Sequence, residues 1–157
     1  MEKRSTILLV EDNPDDERLT LMGFRENNIL NPIKVARDGA EAIDFISGQG
    51  AYADRDPSTP PQLIVLDLKL PKVDGIEVLR YIRTSPFTQF TPVVILTSSR
   101  EEKDLVESYR LGVNAYVQKP IDFLEFTQAV KHLGMFWLLL NEIPYQSQAQ
   151  ALSPLHG

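Results

Sequence analysis

The 157-residue chain contains no cysteine and only two histidines. Without cysteine there are no disulfide scaffolds, thiolate zinc sites or cysteine nucleophiles. His132 and His156 are too few for most histidine-based metal chemistry, and neither lies near the acids singled out below, so a metal bound here prefers oxygen. Sixteen Lys and Arg against 22 Asp and Glu leave a formal charge of −6, which argues against sequence-independent nucleic-acid binding. No apolar stretch is long enough to span a membrane. The charged start Met1–Thr6 leads into only four apolar residues, too short for a secretory signal, so the expected location is the cytoplasm. What is present is ordinary: 43% hydrophobic and 24% charged residues, enough apolar material for one compact core.

Strand and helix signals alternate along the chain. Ile7–Val10 is a short apolar run ending in acids, and Asn13-Pro14-Asp15-Asp16 then supplies a cap, a first-turn proline and carboxylates suited to the positive end of a helix dipole. Pro32–Arg37 is a weaker strand signal, followed by the capping-box spacing Asp38–Glu41, which predicts a helix to about Ser47. Gly48–Pro61 holds three prolines and no hydrophobic period, and reads as a surface loop. Leu63–Leu66 precedes a helix opened by Asp74 and carrying Ile76, Leu79 and Ile82. Pro92–Leu96 precedes one introduced by the box Ser99–Glu102, carrying Leu105, Val106 and Tyr109 and ending at Gly112. Ala115–Val117 leads to a last helix capped by Asp122 with Glu125, with Ile121 and Phe126 as its hydrophobic staple. Uniformly apolar strands need cover on both faces. Five β-then-α units therefore predict a doubly wound α/β domain, a five-stranded parallel sheet with helices on both faces, over residues 1–143. A polar, proline-containing tail follows over 144–157.

In such sheets ligands bind beyond the carboxyl ends of the strands. Glu11 and Asp12 follow the first strand, Asp67 the third, Thr97 the fourth and Lys119-Pro120 the fifth, so these residues are predicted neighbours. Three crowded carboxylates must take up protons, a metal or a cationic side chain. The all-oxygen donor set selects magnesium or manganese over zinc, with Mg²⁺ the first choice. The cation and Lys119 together cancel the three carboxylates, whereas turning one carboxylate into an acyl phosphate adds roughly one further negative charge. Thr97 offers a hydroxyl able to reorient towards that charge. Singly, these residues mean little: an Asp after a strand is most often a turn former, and Tyr116 is more often packing than a switch. Other enzyme and cofactor readings fit worse. Phosphatases with a nucleophilic Asp place a second acid two residues on, where this chain has Lys69. A flavin module needs a phosphate cradle where Glu11 and Asp12 stand.

With these residues in view, the chain resembles the receiver domains of two-component response regulators over nearly all of Ser5–Asn141. The match comprises Glu11-Asp12, Asp67-Leu-Lys-Leu-Pro71 with Asp74-Gly75, Thr97-Ser98, and Tyr116 with Lys119-Pro120. The resemblance implies a flavodoxin-like strand order 2-1-3-4-5 and Asp67 as phosphoacceptor. It implies Mg²⁺ or Mn²⁺ held by Asp12, Asp67 and the Lys69 backbone carbonyl, with Glu11 acting through water. Thr97, Ser98 and Lys119 would hold the phosphoryl group, Thr97 and Tyr116 would form the switch pair, and Pro120 would follow a cis peptide. The implied partner is a sensor histidine kinase, and the implied output is protein contact by a switch rather than an enzyme. Val130–Asn141 is similar to the C-terminal helix of the small response regulators paired with cyanobacterial and bacterial phytochromes, which implies a phytochrome kinase and a homodimer through the last strand and helix. The physical pattern agrees. A helix on a sheet needs only an apolar stripe, but Met135, Phe136, Trp137, Leu138, Leu139 and Leu140 are apolar in succession, and twofold self-pairing is the commonest cover for the surplus face. The alternative is a receiver-like interaction module that is never phosphorylated, against which the intact acid cluster argues.

Overall fold

A computed structural model describes residues 6–120, 122, 124, 125, 128, 131 and 132. Strands β1 (Ile7–Val10), β2 (Ile33–Ala36), β3 (Leu63–Leu66), β4 (Val93–Thr97) and β5 (Ala115–Gln118) pair in parallel in the order β2-β1-β3-β4-β5. Helices α1 (Pro14–Glu26), α2 (Gly39–Ser47), α3 (Gly75–Thr84) and α4 (Glu102–Arg110) connect them. The uniform apolarity of the strands resolves into two cores. Leu8, Val10, Ile64, Leu66, Val93 and Ile95 pack with Phe45, Ile46, Leu79 and Ile82 of α2 and α3. Ile7, Leu9, Leu63, Val65, Val94 and Leu96 point the other way, onto Phe24 of α1. Alternating residues thus serve opposite faces, and each face is dry.

The register brings the strand ends together. Val10 lies opposite both Ala36 and Leu66, and Thr97 opposite Gln118. Backbone bonds extend this past the strands: Glu11 N–H donates to Ala36 at 2.9 Å, Asp67 N–H to Val10 at 3.0 Å and Lys119 N–H to Thr97 at 2.7 Å. Gly75 opens α3 against the same loop, where a Cβ would lie 2.3 Å from Leu68 Cα and 2.5 Å from the Asp67 carbonyl oxygen. Only glycine lets the helix start this close to Asp67.

Side-chain caps start two of the four described helices, α1 and α2, whereas α3 begins behind Asp74 with no side-chain cap. Asn13 Oδ1 accepts the N–H groups of Asp15 and Asp16, Asp38 accepts that of Glu41, and Asp122 accepts that of Glu125. Glu41 returns its bond to Arg37 N–H, one residue before the cap. The predicted box at Ser99–Glu102 needs correction: α4 begins at Glu102 behind Glu101, with no side-chain cap. Ser99 is spent elsewhere, accepting from Glu101 N–H at 3.3 Å and donating to Asp104 at 2.5 Å. Leu105, Val106 and Tyr109 remain partly exposed, and only Ser108 of α4 is buried. The Gly48–Pro61 segment is also more ordered than its composition suggests, with a single 3₁₀ turn at Gly50–Tyr52. Arg55 stacks over Phe45 and donates to the Phe45 and Thr59 carbonyls, and Tyr52 donates to Glu41 at 2.6 Å. The staple pair Ile121 and Phe126, the run Met135 to Leu140 and the tail over 144–157 lie outside the described residues.

Candidate functional site

Asp67 ends the apolar run of β3 and is only 4% exposed. Both of its carboxylate oxygens are engaged: Oδ1 accepts Lys69 N–H at 3.0 Å and Oδ2 accepts Lys119 Nζ at 2.9 Å. Glu11, 1% exposed, accepts from Lys119 at 3.0 Å and from Asn13 N–H at 3.2 Å. Asp12 is exposed, and one carboxylate oxygen from each of Glu11, Asp12 and Asp67 lies within 4.8 Å of the others. Three oxygens that close, with no sulfur or nitrogen among them, fit a hard divalent cation.

Burial pushes the Glu11 carboxyl up to about 7, with Asp67 adding to the effect and Lys119 opposing it. Burial works against the charge on Lys119, but Asp16, Asp67 and Glu11 outweigh it and hold the ammonium well above the usual lysine range. The sequence marks Asp16 only as a helix-dipole acid, yet its Oδ2 lies 2.7 Å from Lys119 Nζ. Among the described residues the pocket therefore holds four carboxylates against one ammonium, one more carboxylate than the strand ends alone supply. The only signal in the sequence was an acid in the first turn of the helix after Asp12.

Thr97 is fully buried and its hydroxyl oxygen accepts Ser99 N–H at 3.1 Å, while Ser98 is exposed. The Tyr116 hydroxyl is buried and makes no hydrogen bond among the described residues, and burial pushes its pKa up. Its ring lies 6.4 Å from that of Tyr109 on α4. The Lys119–Pro120 peptide is cis. Two further contacts tie the pocket to the β4–α4 region. Lys69 Nζ pairs with Glu101 at 3.2 Å and Asp104 at 3.8 Å, and Arg100 donates to the Lys119 carbonyl at 3.1 Å. Neither was legible in the sequence, because each joins segments distant along the chain.

The model of the response regulator receiver domain matches residues 7–131. The chain belongs to that family. Response regulator Rcp1 of Synechocystis sp. is 40% identical over 138 residues, covering 88% of this receiver and 92% of its own length. The Mn²⁺-bound crystal structure of Rcp1 superposes with a TM-score of 0.74 at 40% identity, covering 85% of this receiver and 94% of that chain. The phosphorylated cyanobacterial phytochrome response regulator RcpA gives 0.74 at 39% identity, covering 86% and 94%. The bacteriophytochrome response regulator AtBRR gives 0.72 at 51% identity, covering 87% and 96%. Receivers are switches that signal by phosphorylation and partner with histidine kinases, so this receiver is a signalling protein rather than an enzyme of the ordinary kind. Its acid trio and the Mn²⁺-bound relative together indicate a divalent metal site. No helix among the described residues is long and apolar enough to cross a membrane.

Proposed function

We propose that this receiver is a cytoplasmic switch phosphorylated on Asp67 by a phytochrome histidine kinase. The observation that carries the reading is a buried Asp67 carboxylate hydrogen-bonded to Lys119 and clustered with Glu11 and Asp12. An Asp67 oxygen attacks the phosphorus of the kinase's phosphohistidine, the phosphorus–nitrogen bond breaks with its electron pair going to the imidazole, and an acyl phosphate remains. Such transfers need mainly positioning and charge neutralisation. Asp12, Asp67 and the Lys69 carbonyl would hold Mg²⁺, with Glu11 acting through water, and the bound ion supplies neutralisation of the phosphoryl charge. Lys119 pairs with the transferred group, Thr97 and Ser98 donate hydroxyls to it, and Tyr116 follows Thr97. That last role is supported by the Tyr116 hydroxyl, which is buried and makes no hydrogen bond among the described residues.

The test is exposure of the wild-type protein to Mg²⁺ with acetyl phosphate or a phytochrome kinase. Gain of acid-labile phosphate is expected, and its absence leaves only the interaction-module reading. The phytochrome pairing is supported by the relatives named above. The homodimer is supported by the apolar run Met135 to Leu140. Light scattering is expected to give twice the monomer mass, and a monomer at micromolar concentration refutes it.

The raised Glu11 carboxyl gives the site a pH dependence. Its ordinary value is 4.5 and its folded value about 7, so the metal-free folded state holds a proton that the unfolded chain releases. That proton favours the fold below the ordinary value, and the benefit is lost as pH rises through the folded one. Mg²⁺ must displace the same proton. Affinity by calorimetry is therefore expected to rise up to about tenfold per pH unit below about pH 7 and to level off above it. Glu11→Gln removes the slope, and an unchanged slope in that variant contradicts the assignment.

A further inference from the structure

Lys119 carries three ammonium protons and has three carboxylate partners, Asp67 at 2.9 Å, Glu11 at 3.0 Å and Asp16 at 2.7 Å. Two of these partners belong to the trio that fits a divalent cation, and Asp16 does not. Asp16 approaches from the first turn of α1, where Asn13 Oδ1 fixes its backbone N–H at 3.0 Å. Its side chain is 21% exposed, against 1% for Glu11 and 4% for Asp67, so water completes its solvation and it needs no metal to neutralise it.

The three partners do not persist equally. A divalent ion seated among Glu11, Asp12 and Asp67 repels the ammonium and draws off two of its counter-charges. Lysine is a strongly hydrated point charge on a flexible stem, and with no fixed anion beside it the side chain turns to solvent. We infer that Asp16 is a positioning residue that keeps the Lys119 ammonium in the pocket once a divalent metal has claimed its other partners. The inference rests on a divalent ion among the acid trio and not on Asp67 being the acceptor.

The experiment uses the unphosphorylated full chain at saturating Mg²⁺. Lysine-selective nitrogen-15 NMR is expected to show a slowly exchanging Lys119 ammonium, assigned by its loss in Lys119→Arg. Asp16→Asn should lose that signal and Asp16→Glu should keep it. In parallel, Asp16→Asn is expected to weaken Mg²⁺ binding about fivefold in a Lys119→Met background, where only the Asp16 charge is lost, and by less than about twofold in the wild-type background, where departure of the Lys119 ammonium relieves its repulsion of the ion. An ammonium signal that survives Asp16→Asn would overturn the inference. So would an equal loss of affinity in both backgrounds, which would make Asp16 a plain long-range charge. Should Lys119→Met not fold, the NMR comparison of Asn with Glu at position 16 decides alone. All of this is read before any phosphodonor is added, so a protein that fails to accept phosphate sinks the functional reading and leaves the Lys119 result standing.

Discussion

Asp67→Asn is expected to fold like the wild type and to gain no acid-labile phosphate from acetyl phosphate or from a kinase. Asparagine has the same shape, and its Oδ1 can still accept the Lys69 N–H that Asp67 accepts at 3.0 Å. It lacks the chemistry: the carboxamide carries no negative charge, and its nitrogen lone pair is delocalised, so no oxygen is left with the nucleophilicity of a carboxylate. Phosphate incorporation should fall by about a hundredfold or more, to background. Stability should hold or rise, because Glu11 loses a like-charged neighbour in a dry site. Mg²⁺ binding should weaken by about tenfold, since one of three clustered carboxylates is gone. Phosphate incorporation at the wild-type level in this variant would place the acceptor elsewhere and remove the basis of the proposed mechanism.

Lys119→Met is expected to produce the largest loss of stability. Lys119 is the shared cation for Glu11 and Asp67, and their side chains are 1% and 4% exposed. Removing one partner of a buried ion pair costs about 3–5 kcal/mol, because the other charge stays buried without compensation. The cost should depend on pH. With the opposing cation gone, the burial that already raises the Glu11 carboxyl acts with less opposition, and a raised folded value means a stabilising contribution that is lost as pH climbs. The variant should therefore lie nearest the wild type at about pH 5 and furthest from it at about pH 8, with Mg²⁺ restoring much of the difference. Phosphate incorporation should slow by about a hundredfold, the usual effect of losing one positioned donor at a developing charge. A urea midpoint equal to that of the wild type at both pH values would show that Lys119 is not the charge that holds the acids together.

The alternation of strands and helices, the caps at Asn13, Asp38 and Asp122, and the placing of Glu11, Asp67, Thr97 and Lys119 at strand ends are legible in the order of residues alone. These are local properties: an apolar run stops where a polar residue begins, and a capping side chain reaches only two or three residues along its own backbone. Local signals also misled in places. The spacing Ser99–Glu102 has the form of a capping box, but Ser99 Oγ bonds to Asp104 and α4 starts later, leaving its apolar residues partly exposed. That Asp16 shares Lys119 with Glu11 and Asp67, that Lys69 reaches Glu101, and that Arg100 holds the Lys119 carbonyl emerges only once the chain is folded. Each of those contacts joins separate segments across a strand end, and Coulomb and hydrogen-bond energies depend on a separation in space that no spacing along the chain encodes.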